Sequence, residues 1–339
     1  MRILFNHSIS GAADLIDLMR RARPGLHVIA THERRDTPIT LAADRLLPEP
    51  PETRLMSPDA YADWLLQVAL AEGAELVLPY RRREELAGFR DWFSARGIRL
   101  LTASDSNTMG FLEDKPSFLG RMEAAGVPVT PFRRFEGAEE YERLRGEGAL
   151  FPDHLSNLCV KPASGIYGAG FRIIRDELPA MAPLSELSAL ELPDVAFRRL
   201  LRALPRSEPM MLMPFFVGPE RSVDFSCHGG RLLGTVTRIK TGASQLLLHD
   251  PCGEELARLV TETFRLTGVL NLQTIEDIAG TQRLMEVNTR ASGGIGMTGL
   301  TDVNLPALLL DSIDGVSSDQ PARVTGEVQA GRRELFWSV

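Results

Sequence analysis

The sequence predicts an α/β protein that opens with a parallel sheet and continues into a mixed, α+β region. Strand-like and helix-like segments alternate through residues 1–105, and such alternation builds a parallel sheet with helices on its faces. Beyond residue 105 the alternation gives way to hairpin signals, with glycines between apolar runs. The G-x-G-x-x-G fingerprint is missing after the first strand, which argues against a nicotinamide or flavin domain.

The elements follow in order. "RILF" reads as a buried strand, "AADLIDLMRRA" as an amphipathic helix and "LHVIAT" as a second strand. "SPDAYADWLLQVALAEG" is a helix with Ser57 as N-cap and Pro58 at its first position. "ELVLPY", "REELAGFRDWFSARG" and "IRLLTA" continue as strand, helix and fourth strand. "DKPSFLGRMEAAG" is a helix ending at Gly126, and two prolines keep "VPVTPFRRF" extended. "NLCVKPASGIYGAGFRII" reads as strand, glycine-rich loop and strand. Residues 176–209 are helical or irregular. "SVDFSCHGGRLLGTV" is a hairpin turning at Gly229-Gly230, and "GEELARLVTETFRLTG" is a helix closed by Gly268.

At 339 residues the chain has room for two or three structural units. Its net charge of −7 argues against nucleic acid or an anionic membrane as partner. No apolar run is long enough to span a bilayer, and "MRILFNHSIS" is too short and polar for a signal peptide. Cys159, Cys227 and Cys252 are scattered, which fits a reduced, cytoplasmic setting with inert thiols.

The chemistry concentrates in "GVLNLQTIEDIAGTQRLMEVNTR", two strands joined around Ala279-Gly280. A turn centred there sets Gln273 opposite Glu286 and Asn271 opposite Asn288. Residues two apart share a face, so these four form one oxygen-rich patch, while Leu270, Leu272, Met285 and Val287 pack inward. Such a patch suits a hard cation shared with phosphates, and Arg290, next on that face, can hold a phosphate or carboxylate through its fork. The plainer alternative is a solvent-facing polar strand. Lys115 and Lys161 can neutralise phosphates as point charges, and Gly165, Gly168 and Gly170 allow backbone N–H groups close to a phosphate. Their plain alternatives are surface lysines and an ordinary hairpin loop. For Met210, Met211 and Met213 core packing is the first reading, and it overlaps with a role as apolar walls of an adenine slot. Arg238 and Lys240 in "TRIKTG" end a strand, where they hold an acceptor carboxylate or are simply solvated. His228 and His249 are more readily structural than catalytic.

In order, "EDKPSF", "CVKPASGIYGAG", "MPFFVGPERSVD" and the Gln273…Glu286-x-Asn288-x-Arg290 set resemble the ATP-grasp superfamily, most nearly the large subunit of carbamoyl-phosphate synthetase. The "NTRASGG" ending also resembles the ATP-grasp group associated with tellurite-resistance operons. The resemblance spans roughly residues 1–310 and implies an ATP-grasp fold preceded by a parallel-sheet pre-ATP-grasp domain. It divides the chain into 1–105 as the pre-ATP-grasp domain, 106–315 as the ATP-grasp domain with a lid at about 127–215, and a C-terminal extension, 316–339.

The same resemblance assigns roles. Lys115, Lys161 and the loop from Ser164 to Gly170 would hold the phosphates, Met213, Phe215 and Phe216 the adenine, and Glu220 the ribose. Gln273, Glu286 and Asn288 would bind Mg²⁺, with Mn²⁺ able to substitute, and Asn288 and Arg290 would act on the transferred phosphoryl group. The family often has Glu or Gln where this chain has Pro214, which leaves nucleotide preference open. The implied activity is ATP-dependent carboxylate–amine ligation through an acyl phosphate, on small-molecule substrates, in a cytoplasmic protein for which a homodimer is compatible. The alternatives are activation of bicarbonate or carbamate, and a nucleotide sensor without chemistry.

Overall fold

The computed structural model describes residues 1–8, 10–147, 150–151, 157–165, 169–176, 188–204, 208–316 and 318–331. The chain forms two compact units that are not linear segments: residues 1–110, 221–272 and 287–339 make one, and 111–220 with 273–286 make the other.

The first unit begins with a five-stranded parallel sheet in the order β3-β2-β1-β4-β5. Its strands are β1 (Arg2–Asn6), β2 (His27–His32), β3 (Arg45–Pro48), β4 (Leu76–Pro79) and β5 (Arg99–Leu100). Strand β3, absent from the expected set, has only partly buried or exposed side chains, so it carries no apolar run to announce it. The helix Ala12–Ala22 buries Leu15, Ile16, Leu18 and Met19 together with Ile3, Phe5 and Val28 of the sheet. The opposite face of the sheet packs Leu4, Ile29 and Val77 on Tyr61, Leu65 and Leu66 of the helix Pro58–Ala71. That helix starts as expected, with the Ser57 hydroxyl accepting from Ala60 N at 3.2 Å. The single helix expected over residues 83–97 is instead broken into Arg83–Leu86, a 3₁₀ turn Ala87–Phe89 and Arg90–Ser94. Gly88 sits at the break, where a missing side chain weakens helix propagation.

The second unit holds an antiparallel-rich sheet in the order β6-β10-β7-β8-β9. These are β6 (Arg133–Phe135), β7 (Leu158–Pro162), β8 (Arg172–Arg175), β9 (Glu191–Pro193) and β10 (Met210–Pro214). Its core gathers Phe135, Tyr141, Val160, Ile174, Phe197 and Leu212.

A third sheet runs β15-β14-β11-β12-β13-β17, with β16 paired to β12. The strands are β11 (Glu220–His228), β12 (Arg231–Thr241), β13 (Ser244–Leu248), β14 (Gly268–Glu276), β15 (Gln282–Asn288), β16 (Ala322–Arg323) and β17 (Glu327–Gly331). The β11–β12 turn is the expected one, with Gly229 at φ 61° and Gly230 at φ 86°. The helix Pro251–Phe264 ends earlier than expected: Arg265, at φ 49°, takes the left-handed position, and Leu266 N closes the end on Thr261 O at 3.0 Å. Gly268 therefore opens β14 rather than capping the helix. Among the described residues, no helix is long and apolar enough to cross a membrane.

Candidate nucleotide site

Strand pairing places the first group. Lys161 lies opposite Met211 and Cys159 opposite Met213 in the β7–β10 ladder. Cys159, Lys161 and Met213 line one cavity of about 340 Å³, within the usual range for ligand pockets. Lys115 enters the cavity from the start of the helix Lys115–Ala124. The Asp114 carboxylate caps that helix on Ser117 N at 3.1 Å, and Lys115 N is tied to Ala163 O at 3.0 Å.

The two ammonium groups converge on one carboxylate. Glu286 Oε2 is 3.6 Å from Lys161 Nζ and 4.0 Å from Lys115 Nζ, and Lys115 Nζ donates to Gly165 O at 2.9 Å. Burial pushes the Lys115 ammonium below the usual lysine range; Glu286 opposes that shift and Lys161 reinforces it. Two ammonium groups set around one carboxylate can turn to a polyphosphate and neutralise its charge. On the same wall Gln273 Nε2 lies 3.4 Å from Glu220 Oε1.

The remaining lining is apolar. Phe215 and Phe216 were expected there; Phe171, Ile275 and Met285 were not. Phe171 and Phe215 stand 6.3 Å apart between ring centroids. Thr130 and Pro214 also line the space, and burial pushes the Cys159 thiol up to about 12, so it acts as an apolar wall. Ile275 shares the strand face of Gln273 and was legible by its spacing. Met285 was expected to pack inward. In β15 Val287 is buried as expected, but Leu284 is buried where Met285 is not, with residues 128–130 bonded along the strand through Thr130 N to Leu284 O and Leu284 N to Pro128 O, both 2.9 Å.

Among the loop residues, Ser164 and Gly165 line the cavity. Gly170 does not: at φ 78° it packs on Pro162, where a Cβ would come within 2.7 Å of the ring. Gly168 lies outside the described residues.

Asn288, Arg290, Arg238 and Lys240 belong to the first unit. Arg290 is buried and donates Nη1 to Ala291 O at 3.0 Å. Arg238 is not at a strand end, since β12 runs on to Thr241, and its guanidinium is engaged by four protein acceptors: Asp224, Gln245, Ser222 and Ser292. Lys240 is exposed. His228 bonds Ser312 Oγ at 2.9 Å and His249 bonds Glu254 at 2.9 Å, both structural contacts.

Among the described residues no three His, Cys, Asp or Glu side chains converge. Gln273 and Glu286 supply oxygen donors in the cavity, a set that fits a hard cation completing its shell with phosphate oxygens and water.

The parallel sheet followed by this lysine- and glycine-lined cavity has the architecture of an ATP-grasp fold preceded by a pre-ATP-grasp portion. Residues 206–333 match the family described as ATP-grasp in the biosynthetic pathway with Ter operon. Solved structures carry the same fold along nearly the whole chain. One is the biotin carboxylase domain of Hydrogenobacter thermophilus 2-oxoglutarate carboxylase, a dimer in complex with MgADP, ADP and bicarbonate; it is 18% identical, with 96% of this chain and 73% of that chain covered at a TM-score of 0.63. The N5-carboxyaminoimidazole synthetase of Staphylococcus aureus is 13% identical over 93% of this chain and 77% of that one, TM-score 0.63. An L-amino acid ligase from Bacillus licheniformis is 16% identical over 92% and 73%, TM-score 0.59. No curated protein matches the sequence.

Proposed function

We propose that the protein is an ATP-dependent ligase that activates a carboxylate as an acyl phosphate and joins it to an amine. The observation that carries this reading is the convergence of Lys115, Lys161 and Glu286 in one cavity that also holds Gln273, Glu220 and an aromatic wall. The adenine lies against Met213, Phe215 and Phe171, and Glu220 meets the ribose. Lys115 and Lys161 exchange Glu286 for the phosphates, Glu286 and Gln273 would hold Mg²⁺ through their oxygens, and the Glu286-x-Asn288 spacing of the sequence motif would add Asn288 as a ligand. When bound, the metal spreads the charge of the terminal phosphates.

The chain's own groups orient the reaction. A carboxylate oxygen of the acid attacks the γ-phosphorus, the bond to the β–γ bridging oxygen breaks, and ADP leaves. The amine nitrogen then attacks the acyl carbon, inorganic phosphate departs and the amine proton passes to solvent. No protein nucleophile is required. The sequence motif would give Arg290 the transferred phosphoryl group, which its planar fork suits. The bicarbonate held by the Hydrogenobacter domain keeps bicarbonate among the acids to be tried. The test is ADP release on incubation with ATP, Mg²⁺ and pooled carboxylates and amines, followed by mass detection of the condensed product. ADP release that requires both pools supports ligation; release with bicarbonate alone favours the carboxylating alternative; nucleotide binding with no release under any pool leaves a sensor.

A further inference from the structure

The buried polar cluster of the first unit sets the polarity of a side chain that the proposed function uses. Asn271, 1% exposed, has three acceptors around its amide nitrogen: Ser222 Oγ at 2.9 Å, Asp224 Oδ1 at 3.0 Å and Val223 O at 3.2 Å. Asp224 is fully buried, and its other oxygen takes the Arg238 Nε–H at 2.6 Å. Flipping the Asn271 amide would set its oxygen against the Asp224 carboxylate, and burial leaves that repulsion weakly screened. The nitrogen of Asn271 is therefore locked toward Asp224, and its Oδ1 is turned toward Asn288, 3.4 Å from Asn288 Nδ2. That contact in turn fixes the donor end of Asn288 toward Asn271 and its oxygen the other way. Magnesium takes oxygen ligands, so the polarity of Asn288 matters to binding.

We propose that Arg238, Asp224 and Asn271 are positioning residues, a buried relay that fixes the Asn288 carboxamide with its oxygen presented to the metal. The proposal rests on the metal role given to Asn288 above. Arg238 serves it twice, because Nη2 also holds Ser292 Oγ at 2.9 Å, two residues beyond Arg290.

The test reads metal binding without turnover. Mn²⁺ is titrated by electron paramagnetic resonance into protein saturated with ADP, and ADP affinity is measured separately without metal. Asn271→Leu keeps the volume but removes the acceptor facing Asn288. Its Mn²⁺ affinity should fall about tenfold or more, as when other outer-shell partners are lost, with metal-free ADP binding unchanged. The paired exchange Asp224→Asn with Asn271→Asp keeps one carboxylate in the buried cluster and an acceptor for Asn288, so its Mn²⁺ affinity should stay within about threefold of wild type. A folded Asn271→Leu protein with wild-type Mn²⁺ affinity overturns the relay. If Asn271→Leu does not fold, the exchange variant decides: weak Mn²⁺ binding in a folded, ADP-binding exchange variant overturns the relay, and retained binding supports it. Wild-type protein that binds ADP but no Mn²⁺ removes the metal role and the relay with it. Failure to bind ADP at all strikes the nucleotide site itself, a separate outcome.

Discussion

Two places in the molecule set basic side chains against a carboxylate, and their geometry differs. In the first unit Arg238 has a side chain only 6% exposed, meets the fully buried Asp224 at 2.6 Å and fills its other N–H groups with Gln245, Ser222 and Ser292. In the second unit Lys161 and Lys115 stand 3.6 and 4.0 Å from Glu286, beyond hydrogen-bonding distance, and all three open onto a cavity. A buried charge must have its bonds made within the protein, because an unpaired one is costly. A site that receives a charged ligand works the other way, leaving attraction for the ligand to complete. The first arrangement is a brace and the second a receptor, although their residue types are nearly the same.

Substitution separates them. The largest effect should come from breaking the brace. Arg238→Met leaves Asp224 buried and uncompensated, and stability should fall by about 3–5 kcal/mol. Urea unfolding measures it, and a loss below about 1 kcal/mol would make Arg238 an ordinary strand residue. In the receptor the same kind of change should barely move stability. Glu286→Gln, on a side chain 21% exposed, should fold normally yet lower ADP formation by about a hundredfold, because the charge that faces the metal is gone while its shape remains. Near-normal turnover would remove Glu286 from the site.

A third carboxylate sharpens the contrast through pH. Glu254 is held down to about 2, first by the Arg323 fork at 2.7 Å on each oxygen and then by His249. Its folded pKa lies below its unfolded one, so its contribution is complete above the ordinary glutamate range. It is lost as pH falls from there toward 2. Glu254→Gln should therefore cost about 1–3 kcal/mol at pH 7, and the gap from wild type should shrink as pH falls below about 4 and close near about 2. An equal gap at pH 7 and pH 3 would show that packing, not ionisation, carries Glu254.

Much of this was legible in the sequence where one rule acted alone. The helix Ala12–Ala22, the Ser57 cap and the Gly229-Gly230 turn each follow from local pattern, and they appear as expected. Of the candidate nucleotide residues, Lys115, Lys161, Ser164, Gly165, Met213, Phe215, Phe216 and Glu220 meet in one cavity together with Gln273 and Glu286. What escaped was decided by distant partners. The backbone of residues 128–130 buries Leu284 and turns Met285 to the cavity, which strand alternation alone cannot foresee. Arg238 sits in the same pattern as a surface strand residue; only the fold brings Asp224, Gln245 and Ser292 to it. Strand β3 lacks an apolar run, and its neighbour β2 fixes its place.

The central claim, that the half-satisfied lysines of the second unit are a nucleotide receptor, is met most directly by Lys161→Ala. ATP stabilises only the form that binds it, so the rise in melting temperature on adding saturating ATP reports the site. In wild type that rise should be several degrees. In Lys161→Ala the melting temperature without nucleotide should stay within about a degree of wild type, since a loosely held lysine adds little, while the ATP-induced rise largely disappears. An unchanged rise in the variant would contradict the account, and so would a variant whose unliganded stability collapses, since Lys161 would then be a brace like Arg238.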